Sequence, residues 1–311
     1  MKILYLSDQY AANVAGTKTS LFAEVKKRKF DIVWKNIHSA GINKTDGQDL
    51  LKTLRNGNYT DLWISHTWTE FIGCNLNQIN KLGVKVLGFG FSDPYEWDGS
   101  KLSQYNYYAT NHLDTYIRVQ KQLPTHYFPT ACNVAFHKQL NLEKTTDILV
   151  FGQGEHPRFS PPTYRLTMLN GITNTYKNVK VFGRSWGAVT HSPEISGDTF
   201  LIEINKAKIS LDLQQPHAPL AHRMFECMAC GTLVITRDRP EVRRIFGIDT
   251  DVLYYTDLAD LKIKIERLFC DVPLRDRLAT VMYNKIREQH NISNRVDSLL
   301  QFYEDKRDCA L

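Results

Sequence analysis

No apolar run in the 311 residues is long enough to cross a bilayer, and Met1-Lys2-Ile3-Leu4 leads into a short strand pattern rather than a secretory leader. The six cysteines, at 74, 132, 227, 230, 270 and 309, form no spaced framework, so reduced thiols and a cytoplasmic location are expected. Cys227-Met-Ala-Cys230 has the C-x-x-C form, but neither a second pair nor a His-x-x-x-His accompanies it. Helix packing is therefore expected there, and no metal site is expected anywhere. The chain also lacks internal repeats, low-complexity tracts and a G-x-G-x-x-G loop. Charge is only mildly unbalanced, at +6 formally. That favours acidic partners such as nucleotides, duplex DNA or an anionic membrane surface, without choosing among them. What remains, with 42% hydrophobic and 23% charged residues, is ordinary globular composition long enough for two cores.

The chain alternates strand-like and helix-like stretches. Lys2–Leu6, 30–34, 60–65 and 84–91 read as strands, with helices over Gly16–Lys29, 46–55 and 69–82 between them. The pattern restarts after the polar stretch Asn141–Thr146, with strands at 147–151, 179–182, 209–213 and 233–235 and helices starting at Pro161-Pro162, over 198–207 and at 258–270, 273–289 and 293–305. Such alternation predicts parallel sheets covered by helices on both faces. In these sheets ligands sit beyond the carboxyl ends of the strands. Two domains are expected, 1–143 and 144–311.

Strand ends supply the candidate residues. His66 follows Leu62-Trp63-Ile64-Ser65 and is of a type that moves protons near neutral pH. Asp93 follows the fourth strand, as a candidate base or simply as an Asp-Pro turn. Trp97, Tyr105, Tyr107 and Tyr108 form an aromatic patch suited either to stacking on sugars and bases or to core packing. Lys26-Lys27-Arg28-Lys29 is a basic helix end. Gly183-Arg184-Ser185-Trp186 offers a cation for phosphate and a ring for a base, or else a solvent arginine and a packed tryptophan.

The stretch Ala218–Thr236 organises the rest. Ala221, Met224, Phe225 and Met228 make an apolar helical stripe, Gly231 ends the helix, and Leu233-Val234-Ile235 follows as a buried strand. His222, Arg223 and Glu226 share the opposite face. A carboxylate there accepts two hydroxyl hydrogen bonds and an arginine grips phosphate.

The run R-M-F-E-C-M-A-C-G-T-L-V-I-T over 223–236 resembles the nucleotide-sugar site of the GT-B glycosyltransferases, in particular the CgeB-like (spore-maturation type) group of the glycosyl transferases group 1. The similarity continues through P-E-V-R-R-I-F, L-Y-Y and R-E-Q-H-N-I-S-N-R, and more weakly in F-S-D-P at 91–94 and D-I-L-V-F-G at 147–152. The resemblance implies an α/β, GT-B architecture of two Rossmann-like domains facing a central cleft, with the final helix crossing back to the first. It implies a donor-binding C-terminal half in which Glu226 holds ribose and Arg223, with Arg158 or Arg184, balances the diphosphate. Gly16 becomes the loop glycine facing donor and acceptor, and His217 and Thr236 join the donor set. Asp93 matches the family's Asp-Pro. The family's Glu-x7-Glu pair is incomplete, because its first position is Ala218; His217 stands beside it as a substitute.

The expected activity is transfer of a sugar from a nucleotide-diphosphate sugar, UDP-sugar foremost, to an acceptor hydroxyl, retaining and metal-independent, with no permanently bound cofactor. Lipid, polysaccharide, small-molecule and protein acceptors stay open, as does peripheral membrane contact. Two alternatives stand beside it: a DNA glycosyltransferase acting on a hydroxymethylated base, and a catalytically inactive nucleotide-binding or scaffold protein of the same fold, which Ala218 favours.

Overall fold

The computed structural model describes residues 1–7, 16–36, 47–65, 75–91, 93, 99–155, 163–215, 218–247 and 250–308. The chain divides into two compact units. The first comprises Met1–Thr130 with Ile292–Leu311, and the second Ala131–Asn291.

In the first unit, β1 (Lys2–Ser7), β2 (Asp31–Asn36), β3 (Asp61–Ser65), β4 (Lys85–Gly90), β5 (Tyr107–Thr110) and β6 (Thr125–Tyr127) form one parallel sheet in the order β2-β1-β3-β4-β5-β6. Successive side chains of a strand point to opposite faces, and both faces are covered here. Leu4, Leu6, Leu62 and Ile64 face one core with Leu50 and Leu54 of α2 (Gln48–Asn56). Ile3, Tyr5 and Trp63 face the other with Leu21 and Val25 of α1 (Thr17–Lys27). The short helices α3 (Leu76–Asn80) and α4 (Leu113–Val119) complete the connections. The helix expected over 69–82 is shorter: Asn75, in extended conformation, caps α3, which ends at Asn80; 66–74 lie outside the described residues. Neither α4 nor β6 was expected from the residue pattern, because each is shorter than the periodicity needed to show it.

The second core of this unit is closed from the far end of the chain. Ile292, Val296, Leu299, Leu300 and Tyr303 of α11 (Ile292–Asp308) pack with Ile3, Tyr5, Trp63 and Phe89. Tyr303 Oη donates to Asp61 Oδ1 at 2.6 Å, and Arg307 Nη1 donates to Asp61 Oδ2 at 2.6 Å.

In the second unit, β7 (Thr146–Gln153), β8 (Val179–Arg184), β9 (Ala207–Asp212), β10 (Leu233–Arg237) and β11 (Tyr254–Tyr255) form a parallel sheet in the order β11-β10-β9-β7-β8. Its helices are α5 (Tyr164–Thr173), α6 (Gly197–Asn205), α7 (His222–Ala229), α8 (Pro240–Phe246), α9 (Leu258–Cys270) and α10 (Val272–Gln289). Contacts put the boundary at 130/131 rather than the expected 143/144. Residues 131–143 bond into the second unit: Leu140 N donates to Asn205 Oδ1 at 2.8 Å and Asn205 Nδ2 to Lys138 O at 3.0 Å. A segment is assigned by what it packs against, and the low apolar content of 141–146 marks only where the next strand begins.

The α7–β10 stretch forms as the pattern requires. Cys230 caps the helix and Gly231 follows with φ +73, where a Cβ would lie 2.1 Å from Gln139 Nε2. The helix is not two-faced beyond its first turn, however. Met224 through Ala229 are all buried, because α10 packs on it as well.

Candidate functional site

In the second unit the strand order reverses between β7 and β9, since the chain goes from β7 outward to β8 and returns to the other side of β7. At such a reversal the connections leave in opposite directions and open a hollow beyond the strand ends. The structure has a cavity of about 100 Å³ there, lined by Phe151 and Gly152 of β7, Ser210–Asp212 of β9, Gln214, Arg165, and Ala221, Arg223 and Met224 at the start of α7. It has room for a phosphate or the edge of a sugar ring, less than the several hundred Å³ of a whole ligand site. The segments 156–162 and 216–217, beyond β7 and before α7, lie outside the described residues. A larger hollow of about 610 Å³, lined by Lys29, Asp31, Glu304 and Arg307, opens where β2 begins, the opposite end from that at which α/β sheets hold ligands.

Two arginines line the cavity and a third stands beside Asp212, each with different freedom. Arg165, 6% exposed, donates through Nη1 to Gln153 O at 2.6 Å and through Nη2 to Phe151 O at 3.0 Å, so it caps the carboxyl end of β7. Its guanidinium also lies 5.2 Å from the Trp186 ring. Gly152 makes this approach feasible: its φ is +122, and a Cβ would meet Arg165 Nη2 at 2.9 Å. Arg223 is the accessible cation, its side chain 48% exposed, with the guanidinium 4.2 Å from the Phe200 ring centroid. Arg239, 5% exposed, donates through Nη1 to Ala218 O and lies 3.9 Å from Asp212 Oδ2.

Two carboxylates belong to the same region. Glu226 Oε2 accepts from Arg223 Nη1 at 2.7 Å, and Oε1 lies 3.7 Å from His137 Nε2. Burial raises the pKa of Glu226, but Arg223, His137 and His222 outweigh it and hold the carboxyl below its ordinary value. Burial holds His137 and His222 below the usual imidazole value, against the pull of Glu226. Asp212 stands on the cavity wall, with Thr236 Oγ1 donating to Oδ2 at 2.8 Å from behind. Burial raises its pKa, with Arg239, Thr236 and Arg165 opposing the shift.

Against these positions, the expected site residues divide. Arg223 lines the cavity, Glu226 stands behind it as its partner, and Thr236 supports Asp212. Arg184 is not on the wall; its side chain is 67% exposed at the end of the edge strand, 4.0 Å from Glu194. Trp186 is fully buried, its Nε1 donating to Gly152 O at 3.0 Å, so it packs rather than offering a face to a base. Arg158 and His217 lie outside the described residues, as does His66.

In the first unit, Gly16 precedes α1 in extended conformation, its carbonyl accepting from Ser20 N at 2.9 Å. Asp93 is 1% exposed and accepts from Thr110 Oγ1 at 2.6 Å and Tyr108 Oη at 3.1 Å. Burial, then Asp93, pushes the Tyr108 phenol well above its usual value, so it stays a donor. The aromatic patch proves to be core: Tyr105, Tyr107 and Tyr108 are at most 6% exposed, while Trp97 is outside the described residues. Sequence reading did not single out Asp212 or assign Arg165 a place in the site. Position at the end of the strand beside the reversal was the available signal for Asp212.

Residues 165–301 match a family described as glycosyl transferase-like. No curated protein matches. Among solved structures, the chain superposes on sucrose-phosphate synthase from Thermosynechococcus elongatus with a TM-score of 0.71 at 14% identity, covering 99% of each chain. The Anabaena protein HepE in complex with UDP and glucose gives 0.68 at 9% identity, covering 98% of this chain and 100% of that one. The β-glucosyltransferase of phage T4 gives 0.62 at 13% identity, covering 99% of each.

The fold is that of the GT-B glycosyltransferases. Both parallel sheets and the strand reversal between β7 and β9 belong to this GT-B chain. Among its described residues no helix is long and apolar enough to cross a membrane, and no group of His, Cys, Asp or Glu is placed to hold a metal ion.

Proposed function

We propose that the protein transfers a sugar from a nucleoside-diphosphate sugar, a UDP-sugar foremost, to an acceptor hydroxyl. The observation that carries this reading is the cavity at the β7/β9 reversal, where Arg165, the half-exposed Arg223 and the first turn of α7 converge. Departure of a nucleoside diphosphate develops negative charge. A guanidinium and a helix N-terminus stabilise that charge from fixed positions without reorganising. The match of 165–301 to a glycosyl transferase-like family supports the class, and the UDP held by HepE supports the nucleotide. The run 223–236 supports placing the chain in the CgeB-like group.

In this reading Arg223 meets the diphosphate, and Glu226 with His137 orients Arg223. That replaces the expected role of Glu226 as ribose acceptor, because both of its oxygens already face partners. Arg158 and His217 remain assigned to the donor, while Asp93 and His66 are our candidates for orienting the acceptor hydroxyl. Retention of configuration and independence of metal are part of the reading and rest on the resemblance. NMR of the product and assay in EDTA decide them.

The test is release of UDP from UDP-glucose, UDP-galactose and UDP-N-acetylglucosamine, with calorimetry of UDP binding alongside. Binding with turnover supports the transferase. Binding without turnover on any acceptor supports the inactive binder that Ala218 suggests, and no binding sinks the nucleotide-sugar reading. A second reading, transfer to duplex DNA, is favoured by the formal charge of +6 and the exposed Lys26, Lys27 and Lys29. It predicts DNA affinity that falls steeply with salt. A gel-shift series without binding removes it.

A further inference from the structure

We propose that Asp212, rather than Glu226, is the carboxylate that accepts hydrogen bonds from the hydroxyls of the donor. The inference rests on the nucleotide-sugar reading above and adds a specificity-determining residue to it.

The two carboxylates differ in what is left to them. Glu226 is not on the cavity wall, and its oxygens face Arg223 at 2.7 Å and His137 at 3.7 Å. Asp212 is on the wall with its side chain 8% exposed. Its Oδ2 accepts from Thr236 at 2.8 Å, and among the described residues nothing donates to Oδ1. A carboxylate oxygen has more than one acceptor position, so Asp212 can take a hydrogen bond from a ligand hydroxyl in the cavity.

Burial raises the pKa of Asp212, and the neighbouring cations with Thr236 oppose that rise. Arg239 stands 3.9 Å from Oδ2, itself 5% exposed and with Nε and Nη2 unbonded among the described residues. A buried guanidinium so poorly satisfied is held in place by the charge it faces. Arg165 adds a second positive charge from α5, and Arg223 a third from α7. The cavity wall therefore carries both charge types, Arg165 and Arg223 with the carboxylate of Asp212. An ionised carboxylate repels a diphosphate, so the part of the ligand at Asp212 must donate hydrogen bonds. Ribose and the transferred sugar both offer that chemistry through their hydroxyls.

The experiment compares wild type with Asp212→Asn by calorimetry, using UDP and the three UDP-sugars named above. Asparagine preserves shape and an acceptor for Thr236 but turns an N–H toward the cavity. If Asp212 reads the transferred sugar, at least one UDP-sugar binds tenfold or more weakly to the variant while UDP binds as before. If it reads ribose, UDP and UDP-sugars weaken together, with an unchanged circular dichroism melt excluding misfolding. A pH series with UDP-sugar adds a readout that a packing role would not move. Wild-type affinity falls on the acid side as Asp212 takes up a proton, and the variant's does not. Equal binding of all four ligands by variant and wild type overturns the assignment of Asp212 alone. A wild type that binds none of them overturns the donor reading and this inference with it.

Discussion

Asp61→Ala should unfold the closure of the first unit while sparing the second. Asp61 is fully buried at the start of β3, where Tyr303 and Arg307 of α11 each donate to it at 2.6 Å and Thr60 donates beside them. Burial, then Asp61, pushes the Tyr303 phenol well above its usual value, so the hydroxyl remains a donor at every working pH. Alanine leaves that buried hydroxyl without its acceptor. Arg307, whose side chain is 30% exposed, can turn to water and loses less. Removing one partner from a buried charged network costs about 3–5 kcal/mol, and the exposed arginine puts the expected value near the lower figure. Tyr303→Phe removes one donor only and should cost about 1.5–3 kcal/mol. A single melt of a two-unit chain is poorly defined, so the assay is residue-level hydrogen exchange. Protection should fall more than a hundredfold in α11 and β1–β6 and stay unchanged in β7–β11. A fall below tenfold in α11, or an equal fall in both sheets, would refute the argument.

Arg223→Ala should weaken UDP binding about tenfold or more, the loss of a charge-assisted contact of about 1.5–3 kcal/mol, read by calorimetry; unchanged affinity would remove Arg223 from the site. His126, packed on Phe302 and Phe128, has its pKa lowered to about 4 by burial and then Arg295. The unfolded chain takes up this proton near pH 6.5 and the native one only near 4, so the first unit should lose roughly 2–3 kcal/mol as pH falls through that window. His126→Asn should flatten the fall in urea titrations at pH 7 and pH 4.5. Gly183→Ala should prevent the second unit from folding, since φ is +137 and the new Cβ would lie 1.7 Å from Gly152 O; a native circular dichroism melt would contradict this. Of the four described thiols, Cys270 alone is exposed, and burial pushes Cys227 to about 12. Maleimide under native conditions should label Cys270 well before Cys132, Cys227 or Cys230, as mass spectrometry would show.

Strand and helix alternation made the sheets legible, because parallel strands buried on both faces write themselves as short apolar runs such as Ile148–Phe151 and Leu233–Ile235. The helix ending at Gly231 was legible for the same local reason. Contacts made over long separations were not. Nothing near Glu226 announces His137, and nothing near Asp61 announces Tyr303. Arg165 reads as a surface arginine because its partners are two backbone carbonyls, which leave no mark in side-chain pattern. Trp186 and the tyrosines at 105, 107 and 108 have sizes that suit ligand stacking and core packing equally, and only burial separates the two.

The discontinuous first unit has a consequence for biosynthesis. Residues 131–291 form an uninterrupted piece, its two ends joined by the parallel bridge between Cys132 and Asn291. It can fold as soon as it clears the ribosome. The amino-terminal portion emerges earlier yet finishes later. Until α11 is translated, Ile3, Tyr5, Trp63 and Phe89 lack the helix that covers them. The nascent chain thus carries an open greasy face through the synthesis of everything between, a natural docking point for chaperones, and the half made first is the last to become native.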